Sequence, residues 1–490
     1  MKQTGSVYLV GAGPGDIGLI TVKGLEAIKK ADVILYDRLA NPKLLDFAKP
    51  DCELIYCGKL PQRHFLRQES INDLLIVKAL EGKTVTRLKG GDPSVFGRVG
   101  EEAEGLAEHG IRFEIVPGIT SGIAAPIYAG IPVTHREYGT SFAVVTAHDK
   151  SNNGQPNIDW EGLVKGVDTI AFYMGVANLP FICENMIKHG KASSTPVILI
   201  QWGTFGRQKT LEGTLETIAE KVRSSGFTNP AITLVGDIVN VREKCKWFEN
   251  QPLFGSQILL ARTSEGESDL ARQLREQGAD VIEYPKWKST PAIMEEDILS
   301  NLCTYDKVLF TSPESVAQFF TILAEREIDI RHLHAEIYVP SVKSKKALSS
   351  RGIVAKLATT MEEAGTLLII GDSTIRSQTL ENTVNYGSHD VLITSEKTID
   401  EQFLPIVERM LEEADIDTII FPSSLSIQPI VESSSAAIHT LLGTSKIVAM
   451  GEKTEIMAAT HGLNVNIRPT KPTVEELIKS LTIDEEKVLI

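Results

Sequence analysis

Three strings concentrate the residues able to do chemistry. The first, GPGDIG over Gly13–Gly18, follows the apolar run VYLV and matches the dinucleotide fingerprint G-x-G-x-x-G, with Asp37 about twenty residues on. In that fingerprint, backbone N–H groups at a helix N-terminus hold a pyrophosphate. Here Pro14 lacks one such donor, Asp16 sets a carboxylate where a phosphate would lie, and no helix opens at the last glycine. A plain tight turn and a cationic or phosphate-free ligand such as S-adenosylmethionine both fit these residues better than NAD does. The second string, RLKGGDPSVFGRVGEE over Arg87–Glu102, ends a strand in Gly90-Gly91-Asp92-Pro93 and then offers Arg98. Two glycines let backbone approach a ligand, and a guanidinium offers a fork of donors to a carboxylate. The third, VPGITS, places Thr120 and Ser121 at a helix start beside a second strand end, as ligand donors or as a simple cap. Taken one at a time, GGDP also reads as a structural turn, and His135 in PVTHRE as a surface histidine.

The elements that must position these strings alternate. VYLV, a helix near Thr21 to Lys30, VILY, a helix near Ser70 to Glu81 and TVTRL follow one another, the pattern of an α/β sheet with packed helices. Val22, Leu25 and Ile28 are read as the apolar stripe of the first helix, with Thr21 as its N-cap. Periodicity lapses in KWFENQPLFGS, where Pro252 and Gly255 interrupt the chain, and QILLAR then opens a new strand. Beyond it lies a weak repeat of about 110 residues. KVLFTSPESVAQF (Lys307–Phe319) resembles TIIFPSSLSIQPI (Thr418–Ile430), and EIYVPSVKSKKALSSRGI (Glu336–Ile353) resembles KIVAMGEKTEIMAATHGL (Lys446–Leu463). Each copy reads strand, polar turn, helix, glycine, so two similar α/β lobes around a cleft are expected.

Bulk properties narrow the function class. A chain of 490 residues, 42% hydrophobic and 23% charged, has room for about three globular domains. No run approaches the roughly 18 apolar residues of a membrane span, and the N-terminus enters a strand without a signal-like segment. A cytoplasmic enzyme is the expectation. The net charge of −14 argues against a general nucleic-acid binder but leaves room for an anionic small substrate in a local basic pocket. Five scattered cysteines form no C-x-x-C pair, so no metal site is expected and the thiols are expected reduced.

GAGPGD, YDRL, the spacing Gly58-Lys59…His64…Gln68…Ile71-Asn72, RLKGGDP-x-VFGR-x-GEE, VPGITS, GIPVTHR, FYMG and NPAITLVGDIV together resemble the uroporphyrinogen-III C-methyltransferases of the tetrapyrrole methylase class. The resemblance spans residues 6 to about 245, with Ser94 standing where the family carries a bulkier residue. It implies an N-terminal tetrapyrrole methylase fold of two α/β subdomains over 1–245, with Pro14, Gly90, Gly91, Asp92, Val95, Thr120, Ser121, Met174 and Ala231 around S-adenosylmethionine. It further implies methylation of rings A and B of uroporphyrinogen III to precorrin-2, and a homodimer joined through this domain. The macrocycle is itself the nucleophile, so alignment in a dry pocket is the main catalytic demand. Arg98 lies near the proton-loss step by resemblance. A guanidinium is a poor general base, so anchoring a substrate carboxylate suits it better. Asp37 is a candidate proton acceptor or a loop-fixing residue, and Arg38, Lys59 and His64 are candidate substrate contacts.

After a linker at 246–255, residues 256–490 resemble uroporphyrinogen-III synthase through ILLART, VLFTSPESV, IVAMGEKTEIMAATHGLNV and RPTKPTVEELIKSL. This second resemblance implies a two-lobed α/β domain that closes hydroxymethylbilane with inversion of ring D. Arg262, Thr263, Thr311, Ser312, Ser423, Gly451, Lys453 and Thr454 are the expected substrate contacts, and turn capping is the other reading of the hydroxyls. VPSVKSKKAL departs from the glycine-led family block, and Tyr386 is only near the position of an expected cleft tyrosine. A tetrapyrrole-binding module without synthase activity is the alternative for this half. Fusion of the two halves raises the local concentration of substrate.

Overall fold

The computed structural model describes residues 4–58, 68–148, 154–293, 295–362, 364–378 and 387–488. Lys59, His64 and Tyr386 lie outside the described residues. The chain divides into two compact units. One comprises Met1–Arg262, Gly266–Tyr284 and Pro405–Ile490, and the other Thr263–Glu265 and Pro285–Leu404.

The first unit opens with a parallel sheet of order β3-β2-β4-β1-β5, built from β1 (Ser6–Gly11), β2 (Val33–Tyr36), β3 (Glu53–Tyr56), β4 (Thr84–Lys89) and β5 (Arg112–Val116). β2 is a continuous apolar run whose four residues, VILY, are all buried, as a sheet covered on both faces requires, whereas β4 also buries Thr86, Arg87 and Lys89. The helix Val22–Lys30 starts where Thr21 accepts from Gly24 N–H at 3.1 Å. Its stripe differs from the sequence expectation. Gly24, Ala27 and Ile28 face the core, whereas Val22 is 81% exposed. Residues six apart lie about 120° from each other around a helix, so Val22 and Ile28 cannot share a face.

A second sheet follows in order β6-β7-β10-β8-β9: β6 (Phe142–Thr146), β7 (Thr169–Tyr173), β8 (Pro196–Gln201), β9 (Lys209–Thr214) and β10 (Ala231–Val235). Only β6 and β7 run parallel; the remaining pairs are antiparallel. The 246–255 segment is packed, with Trp247 and Phe248 edge-on to Tyr128 at 4.9 and 4.8 Å and Leu253 fully buried.

The unit ends in a parallel sheet of order β12-β11-β19-β20, from β11 (Gln257–Ala261), β12 (Asp280–Tyr284), β19 (Thr418–Phe421) and β20 (Lys446–Ala449). The second unit has a sheet of order β13-β18-β17-β14-β15-β16: β13 (Trp287–Pro291), β14 (Lys307–Phe310), β15 (Glu336–Val339), β16 (Lys356–Leu357), β17 (Leu367–Asp372) and β18 (Asp390–Ile399). Here β13 is antiparallel to β18 and the other neighbours are parallel.

The repeat has a structural counterpart. β14 and β19 begin 111 residues apart, and β15 and β20 begin 110 apart (307 to 418, 336 to 446). Helices follow β15 and β20 at Val342–Ser349 and Glu452–Thr460. Ser312 and Ser423, the matching residues after β14 and β19, share the backbone conformation φ −152°, ψ 163°.

Candidate functional site

In the first sheet the C-terminal ends of β1, β4 and β5 deliver the three strings to one edge. Gly13 N–H donates to Gly91 O at 3.1 Å and Gly91 N–H returns a bond to Gly13 O at 2.7 Å. Gly118 N–H donates to Asp92 Oδ2 at 3.0 Å, and Asp92 Oδ1 accepts from Ser94 N–H at 2.7 Å and from the Ser94 hydroxyl. The backbones meet so closely that side chains are excluded. A Cβ on Gly118 would lie 2.4 Å from Gly91 O, and one on Gly11 would lie 2.6 Å from Gly118 N.

The loop after β1 is fastened from outside the sheet. Asp16 Oδ1 accepts from Gly18 N–H at 2.8 Å and Oδ2 from the Tyr128 hydroxyl at 2.6 Å, and burial beside that carboxylate pushes the phenol pKa up. Asp16 N–H donates to Thr204 Oγ1 at 2.9 Å, and Asn41 Nδ2 donates to Gly15 O at 2.7 Å. The N–H groups of Gly13, Asp16, Gly18 and Gly91 thus all have partners within the protein. A pyrophosphate would find them already bonded.

The second sheet reaches the same place through Tyr173, the last residue of β7. Its hydroxyl bonds Thr120 Oγ1 at 2.5 Å and accepts from Gly122 N–H at the start of the helix Ser121–Tyr128. Thr120 occupies the cap position but makes no capping bond with its side chain, because its hydroxyl faces Tyr173. Phe96 packs on the Tyr173 ring at 5.2 Å. Phe96, Arg98 and Met174 all have positive φ, near 56°, a conformation uncommon for side chains with a Cβ. The register that pairs Ile232 with Tyr173 carries Ala231, first in β10, toward Met174. The structure therefore gathers Gly90, Gly91, Asp92, Thr120 and Ser121 along one edge and joins them to the Tyr173–Met174 strand end. Val95 and Pro14, both half-buried, sit in the loops after β4 and β1.

Asp37 follows β2. Its Oδ1 accepts from Leu39 N–H at 3.0 Å, Ala40 N–H at 3.1 Å and Gly90 N–H at 3.4 Å, and its Oδ2 lies 3.5 Å from Arg87. Beneath it Lys89 Nζ pairs with Glu102 at 2.7 Å and Arg87 Nε lies 3.5 Å from the same oxygen. Burial lowers the Lys89 pKa, and Glu102 opposes that shift. Arg98 is exposed and forks onto Glu101 at 2.7 and 2.5 Å; these bonds raise its pKa and lower that of Glu101.

In the C-terminal half the expected contacts divide between the units. Arg262, Ser423, Gly451, Lys453 and Thr454 follow β11, β19 and β20, adjacent strands of the first unit. Ser423 and Gly451 cap short helices there, Thr454 is buried and Lys453 exposed. Arg262 forms an ion pair with Glu283 and donates to Gly266 O at 3.0 Å. Thr311 and Ser312 follow β14 in the second unit, Ser312 closing a capping box with Ser315, and Thr263 O accepts from Lys397 Nζ at 2.5 Å.

The tetrapyrrole (corrin/porphyrin) methylase family matches residues 6–219, and the uroporphyrinogen-III synthase HemD family matches residues 268–479. A uroporphyrinogen-III C-methyltransferase of Bacillus subtilis is 52% identical over 431 residues, 88% of each chain. The chain belongs to the uroporphyrinogen-III C-methyltransferase family. A family member from Priestia megaterium is 62% identical over 236 residues, 48% of this chain and 99% of its own length. A porphyrin biosynthesis protein HemD of Ruminiclostridium josui is 33% identical over 499 residues, 98% of both chains. The family's methylase half is thus joined here to a synthase half.

Sequence reasoning quoted FYMG as a family string without assigning Tyr173, the residue that ties the two methylase sheets at the site. Tyr128, Thr204 and Phe205 were also missed. Phe205 would lie 2.3 Å from a Cβ on Gly15, a contact between residues 190 apart that no local pattern announces.

Glu283 of β12 carries a pH dependence. Burial raises its pKa, but Lys43, Arg275 and Arg262 outweigh burial and hold it at about 2, below the ordinary 4.5. A depressed carboxylate stabilises the fold fully above its unfolded pKa and ceases to do so as pH falls through the folded one. The stabilisation, about 3 kcal/mol, should be complete above about pH 5 and lost toward pH 2. Urea unfolding at pH 6, 4 and 3 should show an acid-side decline that Glu283→Gln flattens. Parallel declines in both proteins would exclude this origin.

Proposed function

We propose that residues 1–245 methylate uroporphyrinogen III twice, on rings A and B, to give precorrin-2, and that residues 256–490, after a 246–255 connection, make uroporphyrinogen III from hydroxymethylbilane with inversion of ring D. The observation that carries the methylase reading is the internal pairing of the loop amides. A site whose Gly13, Gly18, Gly91 and Gly118 N–H groups are satisfied by protein oxygens suits a phosphate-free donor. S-adenosylmethionine supplies an electrophilic methyl group when bound. Pro14, Gly90, Gly91, Asp92, Val95, Thr120, Ser121, Met174 and Ala231 would hold it, and the glycine backbones leave the room that Cβ atoms would fill.

The chain's task is then to align a nucleophilic pyrrole carbon and exclude water. Arg98 and Arg38 anchor acetate or propionate arms, with Lys59 and His64 as further contacts. Asp37, held by three amides and by Arg87, is the candidate to receive the proton lost after methyl transfer. In the synthase half, Arg262, Thr263, Thr311, Ser312, Ser423, Gly451, Lys453 and Thr454 hold the carboxylates of the linear substrate. Two copies join through the methylase half, where Ile115, Ile119, Ile123 and Ile127 recur every four residues and are each 36–43% exposed. Among the described residues no helix is long and apolar enough to cross a membrane.

The test supplies the whole protein with hydroxymethylbilane and S-adenosylmethionine and follows product mass and absorbance. A dimethylated tetrapyrrole is the expected product. Without the methyl donor, oxidation of the product should give the type III porphyrin. Type I alone would assign the C-terminal half to the tetrapyrrole-binding alternative, which the Ser341 departure from a glycine-led block favours.

A further inference from the structure

In the helix Leu404–Glu413, Ile406, Val407 and Leu411 are buried. Arg409 and Glu413, one turn apart and therefore on one face, reach the C-terminal edge of the methylase sheet. Arg409 Nη2 donates to the Tyr36 hydroxyl at 2.5 Å, and its guanidinium lies 3.9 Å from the Tyr56 ring centre. Glu413 Oε1 accepts from Arg38 Nε at 2.5 Å. Arg207, whose guanidinium lies 4.2 Å from the Trp202 ring centre, donates to the Glu413 carbonyl at 3.2 Å. Arg38 lies 5.8 Å from the same indole.

A carboxylate is misplaced at the C-terminus of a helix, where the dipole already presents negative charge, and this helix has no basic residue in its last turn. The compensating charges come from the methylase half. They are of two kinds. Arg207 is nearly buried and also faces Asp280 at 3.4 Å, whereas the Arg38 side chain is 48% exposed. Glu413, whose side chain is 26% exposed, also has Arg207 3.9 Å from its Oε2 and so keeps a second cation when it leaves Arg38. A partly exposed pair of this kind contributes little, so another carboxylate can replace Glu413 on Arg38 at small cost. Arg409, stacked on Tyr56 and bonded to Tyr36, stays as the anchor.

Arg38 occupies the rim of the methyl-donor edge. It lies between Asp37, which accepts from Gly90 N–H, and Leu39, whose Cβ would be 2.5 Å from a Cβ on Gly90. We infer that Glu413 of the synthase half is a built-in carboxylate competitor, occupying on Arg38 the place that a carboxylate arm of the tetrapyrrole takes when the macrocycle enters the methylase site. The inference rests on the reading of residues 1–245 as acting on a polycarboxylate macrocycle. Substrate entry then requires Glu413 to release Arg38, and substrate affinity is reduced by the fraction of time the pair is closed.

The probe is the oxidised, fluorescent uroporphyrin III, which carries the same eight carboxylates, titrated into the full-length protein. Glu413→Gln should bind it about fivefold more tightly and lower KM for uroporphyrinogen III by a similar factor, leaving KM for S-adenosylmethionine unchanged. Adding Arg38→Ala should remove the gain, which assigns it to the methylase site. Arg409→Met, which frees the anchor, should shift binding in the same direction and serves if the first variant folds poorly. Porphyrin binding that is unchanged or weaker in both variants overturns the inference and leaves Glu413 as a tie between the halves. If neither the parent nor the variants bind porphyrin, the substrate reading fails and the inference with it.

Discussion

Gly118→Ala is expected to lower methyl-transfer kcat/KM by at least about a hundredfold, because displacing the reacting groups by an ångström is worth that much. The added Cβ would stand 2.4 Å from Gly91 O and 2.8 Å from the Gly11 Cα. The three nearest atoms it meets are all backbone, which cannot turn aside as a side chain can. The loops after β1, β4 and β5 must separate, and the bond from Gly118 N–H to Asp92 Oδ2 is the first to lengthen. Methyl incorporation from labelled S-adenosylmethionine, with thermal unfolding alongside, measures the effect. Gly100→Ala is the control: it lies inside the helix Val99–Glu108 with nothing within 4 Å of its added Cβ, and should be neutral or slightly stabilising. Comparable activity in the two variants would refute the close meeting of the three loops.

The second large effect is on stability. Arg242, 3% exposed, donates to Ala129 O at 2.7 Å, Glu212 Oε1 at 2.6 Å, Thr210 Oγ1 at 2.7 Å and Glu249 Oε2 at 2.7 Å. One guanidinium thus joins the end of the helix Ser121–Tyr128, β9 and the 246–255 segment. Removing it in Arg242→Met leaves a carbonyl and the largely buried Glu249 without their cation, at about 3–5 kcal/mol. The expected fall in Tm, for a unit as large as the first, is about 4–7 °C. Part of the cost is the stranded carboxylate, so Arg242→Met combined with Glu249→Met should be more stable than Arg242→Met alone. Calorimetry of the three proteins decides it. A Tm within 2 °C of the parent for the single variant is incompatible with the geometry.

Much of the architecture was legible because it rests on local pattern. VILY is an unbroken apolar run, Thr21 precedes a helix, and the repeat survives as two strand–helix pairs at offsets within one residue of each other. The stripe assigned to the first helix was misplaced at Val22, since apolar type alone does not say which side of a cylinder meets the sheet. The strings at Gly13, Gly90 and Thr120 converge because parallel strands carry their C-terminal ends to one edge.

Sequence alone determined the first alternating elements, the family strings and the poor fit to a pyrophosphate, for each depends on residue types within about twenty positions. The tertiary structure decided the pairings. It set Gly13 against Gly91, turned Thr120 from a cap toward Tyr173, bonded Asp37 to three amides, and placed Arg38 against Glu413 across 375 residues. The reason is physical: propensity and periodicity act within a turn or a strand, whereas the partner of a polar group is whatever the packing brings within about 3 Å of it.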